Sequence, residues 1–136
     1  MKKLKVLLVD DNVAFRSAFK MLLESRYDSE IIGEASSAKE LLELNLQLKA
    51  DIIFMDIMMP EIDGIILTKE LLWRNDGLLI VAVTMHYNTV YLKTLIEAGF
   101  VGCLFKNSLF EELPHALETI AQGKRYFPKD ILLTKK

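Results

Sequence analysis

The chain has one cysteine in 136 residues, Cys103, so no disulfide can form within it, and a reducing, cytoplasmic setting is expected. Histidine is nearly as scarce. His86 and His115 are too few and too scattered for a zinc site, and surface positions are expected for both. No apolar run approaches the ~18 residues of a membrane span. The N-terminal run Val6–Val9 is cut off by Asp10-Asp11, short of the roughly 7–15 apolar residues of a signal core, and a first β-strand is the better reading. Neither sign of charge dominates: 17 basic and 19 acidic residues leave a net charge of −2, which argues against a nucleic-acid-binding surface as the main feature. Glycine is thin, with six residues, and no glycine-rich turn follows the first apolar run, so a nucleotide cradle is excluded. Repeats, low-complexity tracts and internal linkers are also missing. What remains is a chain that is 51% hydrophobic, too ordered in composition for a disordered protein and sized for one domain.

Short apolar runs alternate with amphipathic stretches. Leu4–Val9, Glu30–Ala35, Asp51–Met55, Leu78–Val83 and Val101–Phe105 are rich in Val, Ile, Leu or Phe and too short for buried helices. The first intervening segment carries an apolar stripe of Phe15, Ala18, Phe19, Leu22 and Leu23, with Arg16, Lys20 and Glu24 on the opposite side. The second opens with a capping box, Ser37-Ala38-Lys39-Glu40, and is expected to run through Leu48. The third is expected from Asp63-Gly64 to Arg74, followed by a turn at Asn75-Asp76-Gly77. The fourth covers about Tyr87 to Ala98, with Gly99 as its C-terminal cap. The fifth opens with a second capping box, Ser108 to Glu111, and buries Phe110, Leu113, Leu117 and Ile120. Pro114 sits late for a helix capped at Ser108, so a start nearer Glu111 or a kinked first turn is expected. The pattern is (βα)5, an α/β fold with a doubly wound parallel sheet covered on both faces.

Ligands of such a sheet bind beyond the carboxyl ends of its strands. Strand one ends in Asp10-Asp11, strand three runs into Asp56, strand four ends in Thr84 and strand five in Lys106. Taken singly, Asp10-Asp11 and Lys106 are ordinary solvated residues and Thr84 an ordinary strand residue. Asp56 stands out, because a lone charge inside Ile52-Ile53-Phe54-Met55-Asp56-Ile57-Met58-Met59-Pro60 is costly. Together they place three carboxylates, a hydroxyl and an ammonium at one sheet edge. Clustered carboxylates raise each other's pKa, and a hard divalent cation with oxygen ligands relieves the repulsion. Mg²⁺ is the usual choice beside phosphate, and the set suits phosphoryl transfer to a carboxylate.

These residues closely resemble the receiver domain of two-component response regulators. The resemblance rests on Val6-Leu7-Leu8-Val9-Asp10-Asp11-Asn12, on Phe54-Met55-Asp56-Ile57-Met58-Met59-Pro60 with Asp63-Gly64, on Val83-Thr84, and on Lys106. It spans nearly the whole chain. It implies a flavodoxin-like sheet in the order 2-1-3-4-5, an order for which a receiver is one of the standard examples. It also implies roles. Asp56 is the phosphoacceptor, attacking a phosphohistidine on a sensor histidine kinase or phosphotransfer protein. Asp10, Asp11, Asp56 and the backbone carbonyl of Met58 hold Mg²⁺. Lys106 contacts the phosphoryl group, and Thr84 moves toward it as the switch. The domain is then no conventional enzyme, yet catalyses its own aspartyl phosphorylation and dephosphorylation.

Several positions depart from the family's commonest pattern. Cys103 stands where a Tyr or Phe usually swings inward with the threonine. Met85 replaces a small residue after Thr84 and narrows access to the phosphoryl group, and Asn107 replaces a frequent proline. Met58 and His86 occupy the two variable positions that tune dephosphorylation, so a modified phosphoryl lifetime is expected. The stretch from Lys106-Asn107-Ser108 to Tyr126-Phe127-Pro128 resembles receivers of the NarL/FixJ (LuxR-type) subfamily, which continue into a helix-turn-helix domain. Residues 1–125 are accordingly expected to form the receiver, and 126–136 a tail or the start of a linker. DNA then enters only through a domain beyond this chain, no membrane is involved, and the surface of the fourth helix, fifth strand and fifth helix is expected to switch and to offer partner or homodimer contacts. The alternatives are a stand-alone phosphorelay receiver and a degenerate receiver used for protein docking. An aspartate phosphatase of the haloacid dehalogenase type fails because Asn12 and Val13 stand two places after Asp10 and Asp11. A flavodoxin-like electron carrier is undermined by the acidic first loop.

Overall fold

The central strands are apolar at nearly every position and need cover on both faces, and the fold supplies it. The computed structural model describes residues 3–59, 62–85, 91–129 and 131. Five strands, β1 (Leu4–Val9), β2 (Ser29–Ala35), β3 (Ile52–Asp56), β4 (Ile80–Thr84) and β5 (Gly102–Phe105), alternate with five helices. These are α1 (Val13–Arg26), α2 (Ala38–Leu44), α3 (Gly64–Arg74), α4 (Leu92–Ala98) and α5 (Leu109–Ala121). The sheet is parallel throughout, in the order β2-β1-β3-β4-β5. The side chains sort by strand alternation. Leu7, Val9, Ile53, Met55 and Cys103 pack against α2, α3 and α4, whereas Val6, Leu8, Phe54, Val83 and Leu104 pack against α1 and α5.

The helix signals had mixed outcomes, each with a local cause. Asn12 and Asp63 cap α1 and α3 by accepting from Phe15 N and Ile66 N. In α1, Phe19 and Leu23 are buried and Phe15 and Leu22 half-buried, but Ala18 is exposed. Ser37 caps α2 as expected, while the Glu40 carboxylate accepts from the N–H of Ser36 rather than from that of Ser37. That helix stops at Leu44, where Asn45 turns left-handed (φ 53°), so Leu48 lies outside it in the short 3-10 turn Gln47–Lys49. Helix α4 ends as expected on left-handed Gly99, φ 100°, but begins only at Leu92, because Tyr91 is extended; Tyr87 itself falls outside the described residues.

The capping box at Ser108 does not form. Lys106–Ser108 is a 3-10 turn, and Ser108 Oγ is turned back to the Phe105 carbonyl at 3.5 Å. Helix α5 therefore starts at Leu109 and not at Glu111, and its buried face is Leu109, Leu113, Ala116 and Ile120. Phe110 is 55% exposed and stacks under the Arg26 guanidinium at 4.6 Å. Pro114 lies inside the helix. The lost hydrogen bond costs ~3 kcal/mol. Burying Leu109, Leu113 and Ile120 returns roughly 1.5–3 kcal/mol each, so the helix survives.

The chain after α5 turns back to the free edge of β5. Tyr126 N donates to Val101 O at 2.9 Å and Cys103 N donates to Tyr126 O at 3.0 Å. Tyr126 Oη also donates to Glu112, Phe127 packs on the core, and Pro128 and Ile131 are buried. Of the stretch 126–136, these residues lie against the sheet.

Gly64 opens α3 where no side chain fits: a Cβ there would meet Asp56 O at 2.2 Å and Ile57 Cα at 2.8 Å. Gly64→Ala is expected to destabilise the fold by about 1–3 kcal/mol or more, because the obstruction is backbone. Gly77→Ala, which meets only the Asn75 side chain at 3.4 Å, serves as a near-neutral control. Urea midpoints check both, and equal midpoints would contradict the expectation.

Candidate functional site

The site forms because β1 and β3 are in register. Val9 pairs with Met55, so the next residues, Asp10 and Asp56, emerge side by side from adjacent strands about 4.8 Å apart. Both are buried, at 3% and 5% exposure. Asp11 follows on the exposed turn. Oxygens of Asp10, Asp11 and Asp56 lie within 4.8 Å of one another. Thr84, at the end of β4, is buried beside Val83, the register partner of Asp56.

Lys106 closes the group from two strands farther off. It leaves the end of β5 in the 3-10 turn, with its side chain only 9% exposed. Its ammonium lies 2.8 Å from Asp10 Oδ2, 3.9 Å from Asp56 Oδ2 and 4.2 Å from the Phe15 ring centroid. The second Asp10 oxygen accepts from Asn12 N at 2.8 Å, and Asp56 Oδ1 accepts from Met58 N at 3.0 Å. One ammonium does not balance three carboxylates. Burial pushes the Asp56 pKa up to about 7; the Met58 amide opposes this, Asp10 adds to it and Lys106 opposes it.

Above the group opens a cleft lined by Asp11, Asn12, Asp56, Met58, Met85 and Lys106. Met58 and Met85 are exposed at its rim. The donor set fits a hard divalent cation: the oxygens are all carboxylate, and Asp10, Asp11 and Asp56 each bring one within 4.8 Å of the others. Cys103 lies apart from this cleft, fully buried in β5 on the α4 side, and burial pushes its thiol up to about 12. His86 is outside the described residues, and His115 is exposed on α5.

Arg16 is the residue the sequence reading misplaced. Expected on the outer side of α1 with Lys20 and Glu24, its side chain is 13% exposed and turned inward. It donates to the main-chain carbonyl of Asp10, to Ser36 Oγ and to Glu34. Helix α1 starts at Val13, so Arg16 completes the first turn directly over the end of the sheet. Glu34, near the end of β2, is its partner there.

Residues 6–118 match the family model of the response regulator receiver domain. This chain belongs to that family. The receiver is 34% identical over 128 residues to the transcriptional regulatory protein YdfI of Bacillus subtilis, covering 94% of this chain and 60% of YdfI. It is 30% identical to the response regulator GacA of Pseudomonas aeruginosa, with the same coverage of each chain. The receiver thus spans about 60% of the length of these curated relatives. Among solved structures, a LuxR-family two-component response regulator from Aurantimonas superimposes with a TM-score of 0.84 at 30% identity, covering 96% of this chain and 93% of that one. The isolated receiver of RcsB from Salmonella enterica, solved with phosphomimetic BeF3−, gives a TM-score of 0.85 at 25% identity, covering 98% and 100%. Its relatives place the receiver among LuxR/NarL-type regulators. No helix among the described residues is long and apolar enough to cross a membrane.

The raised Asp56 pKa sets a sign for pH dependence. Between the unfolded value, 3.8, and about 7, the folded state binds the extra proton, so the contribution of Asp56 to stability is lost as pH rises through that window. Asp56→Asn removes the penalty. In EDTA, the variant's melting temperature is expected to exceed the wild type's at pH 8, with the gap closing toward pH 4. A pH-independent gap would refute the assignment.

Proposed function

We propose that this receiver accepts a phosphoryl group on Asp56 from the phosphohistidine of a sensor histidine kinase or a phosphotransfer protein, in a Mg²⁺-dependent reaction. The carrying observation is the Asp56 carboxylate itself. It is buried at the end of β3, tethered by Met58 N, close to the Lys106 ammonium and open to the cleft. An Asp56 oxygen forms the new P–O bond as the P–N bond to the donor breaks, and the departing imidazole takes up a proton. Burial pushes the Asp56 pKa up, and Lys106 favours the ionised nucleophile. Asp10, Asp11, Asp56 and the Met58 carbonyl would hold Mg²⁺, which when bound neutralises charge on the phosphoryl oxygens. Lys106 would exchange its Asp56 contact for a phosphoryl oxygen, and the Thr84 hydroxyl would donate to another.

The new dianion then biases a two-state surface. Position 103, where the family's aromatic switch usually sits, carries a small, fully buried, neutral cysteine. The switch therefore rests on Thr84, and its surface is α4, β5 and α5. The curated relatives are named transcriptional regulators and extend well beyond this length, which supports a DNA-binding output domain following the receiver. RcsB has been solved as two dimers bound to two parallel DNAs, which supports a homodimer as one state of the present protein. The setting is cytoplasmic, where kinase and DNA are both within reach.

Incubation with acetyl phosphate and Mg²⁺ is expected to add one phosphoryl group to the wild type, seen by intact mass, and none to Asp56→Asn. Beryllofluoride with Mg²⁺ should shift amide resonances of the wild type alone. Phosphorylation of Asp56→Asn, or an unresponsive wild type, would overturn the proposal. The Met58 thioether is at best a weak acceptor and cannot orient water. Met58→Asn is expected to speed loss of the phosphoryl group, followed by the decay of the phosphorylated mass; an unchanged decay would remove Met58 from the account.

A further inference from the structure

The contacts of Arg16 serve no step described above. Its guanidinium gathers three acceptors from two strand ends: the Asp10 carbonyl beyond β1, and Ser36 Oγ at 2.8 Å and Glu34 Oε1 at 3.1 Å from β2 and the turn after it. Lys20 approaches the other Glu34 oxygen at 3.7 Å, so the carboxylate is shared. The Asp10 N–H still pairs with Ala35 O at 2.9 Å. Its carbonyl lies past the end of the strand ladder and takes a charged donor instead, a bond roughly twice as strong as a neutral one. That carbonyl belongs to the rigid peptide plane joining Asp10 to Asp11. Fixing it fixes the direction in which the chain enters Asp11, and with it the relation of the Asp11 carboxylate to those of Asp10 and Asp56.

We infer that Arg16 is a positioning residue for the cation site. By pinning the Asp10–Asp11 peptide to the end of β2, it holds the two carboxylates in one cation-binding arrangement without touching the cation. The inference rests on the Mg²⁺-dependent reading of the cleft. A planar fork with five donors can satisfy these three acceptors at once, which a lysine ammonium cannot reproduce.

Charge and geometry predict opposite signs. Through space, a guanidinium near the site repels Mg²⁺, so its removal would tighten binding. As a positioning residue, its removal loosens binding by about 10–100-fold, the range for groups that orient metal ligands. The test is Mg²⁺ affinity by calorimetry, with melting temperature recorded in EDTA, for the wild type, Arg16→Gln, Arg16→Lys and Ser36→Ala. Expected is a weaker Kd in both Arg16 variants, a smaller weakening in Ser36→Ala, and melting temperatures close to the wild type's. Unchanged or tighter binding in Arg16→Gln, or full retention by Arg16→Lys, overturns the inference while leaving the cation site standing. A wild type that binds no Mg²⁺ overturns both. Should Arg16→Gln fail to fold, Ser36→Ala decides: wild-type affinity there refutes the positioning role.

Discussion

The register between β1 and β3 is the constraint on which the rest depends. Sliding either strand by one residue would send Asp10 or Asp56 to the opposite face and carry the apolar pattern of that strand with it. Val6, Leu8, Ile52 and Phe54 lock the register on one face, and Leu7, Val9, Ile53 and Met55 lock it on the other. The two buried carboxylates are therefore held together by hydrophobic packing, against their mutual repulsion. Lys106 offsets part of that cost, and the raised Asp56 pKa reflects burial first, with the Asp10 charge adding to it. A site that is electrostatically incomplete in this way is ready for a cation and a phosphoryl group.

The surrounding architecture keeps this cluster tense yet fixed. Gly64 lets α3 start against the Asp56 backbone, and the Phe15 ring receives the Lys106 ammonium from α1. On the far side, Arg16 ties the acidic turn to β2. Two neighbouring helices thus fix the cleft, α3 through Gly64 and α1 through Phe15 and Arg16. Its rim is left to exposed methionines, Met58 and Met85. The free edge of β5 is taken by Tyr126, whose backbone bonds Val101 and Cys103 while its hydroxyl bonds Glu112 of α5. The segment leading toward any following domain is thereby attached to the strand and helix proposed as the output surface.

Strand identities and most helix starts were legible because they depend on local signals. Continuous apolar runs have few alternatives in a chain of this size, and Ser37 and Asp63 cap by bonds spanning three residues. The signals failed where a neighbour intervened. Ser108 carries the letters of a capping box, but the turn that delivers Lys106 into the site takes its backbone out of capping geometry. Phe110 fits a helical stripe by spacing, yet Leu109 takes the buried place because the helix enters from that turn. Arg16 matched an outward stripe by periodicity alone, and only the nearness of the β2 end shows why it turns in.

By itself, the sequence determined the class of fold and the inventory of its reactive edge: Asp10, Asp11, Asp56, Thr84 and Lys106 each directly follow or end an apolar strand. That much follows from alternation and from the rule that parallel strands open their carboxyl ends to ligands. Only the tertiary structure decided how these groups meet. Whether Lys106 reaches Asp10 across two intervening strands, whether Asp56 loses its water, and whether Arg16 faces solvent or the acidic turn depend on distances between segments far apart in the chain. Those distances are set by strand register and helix packing, which no local stretch of sequence encodes.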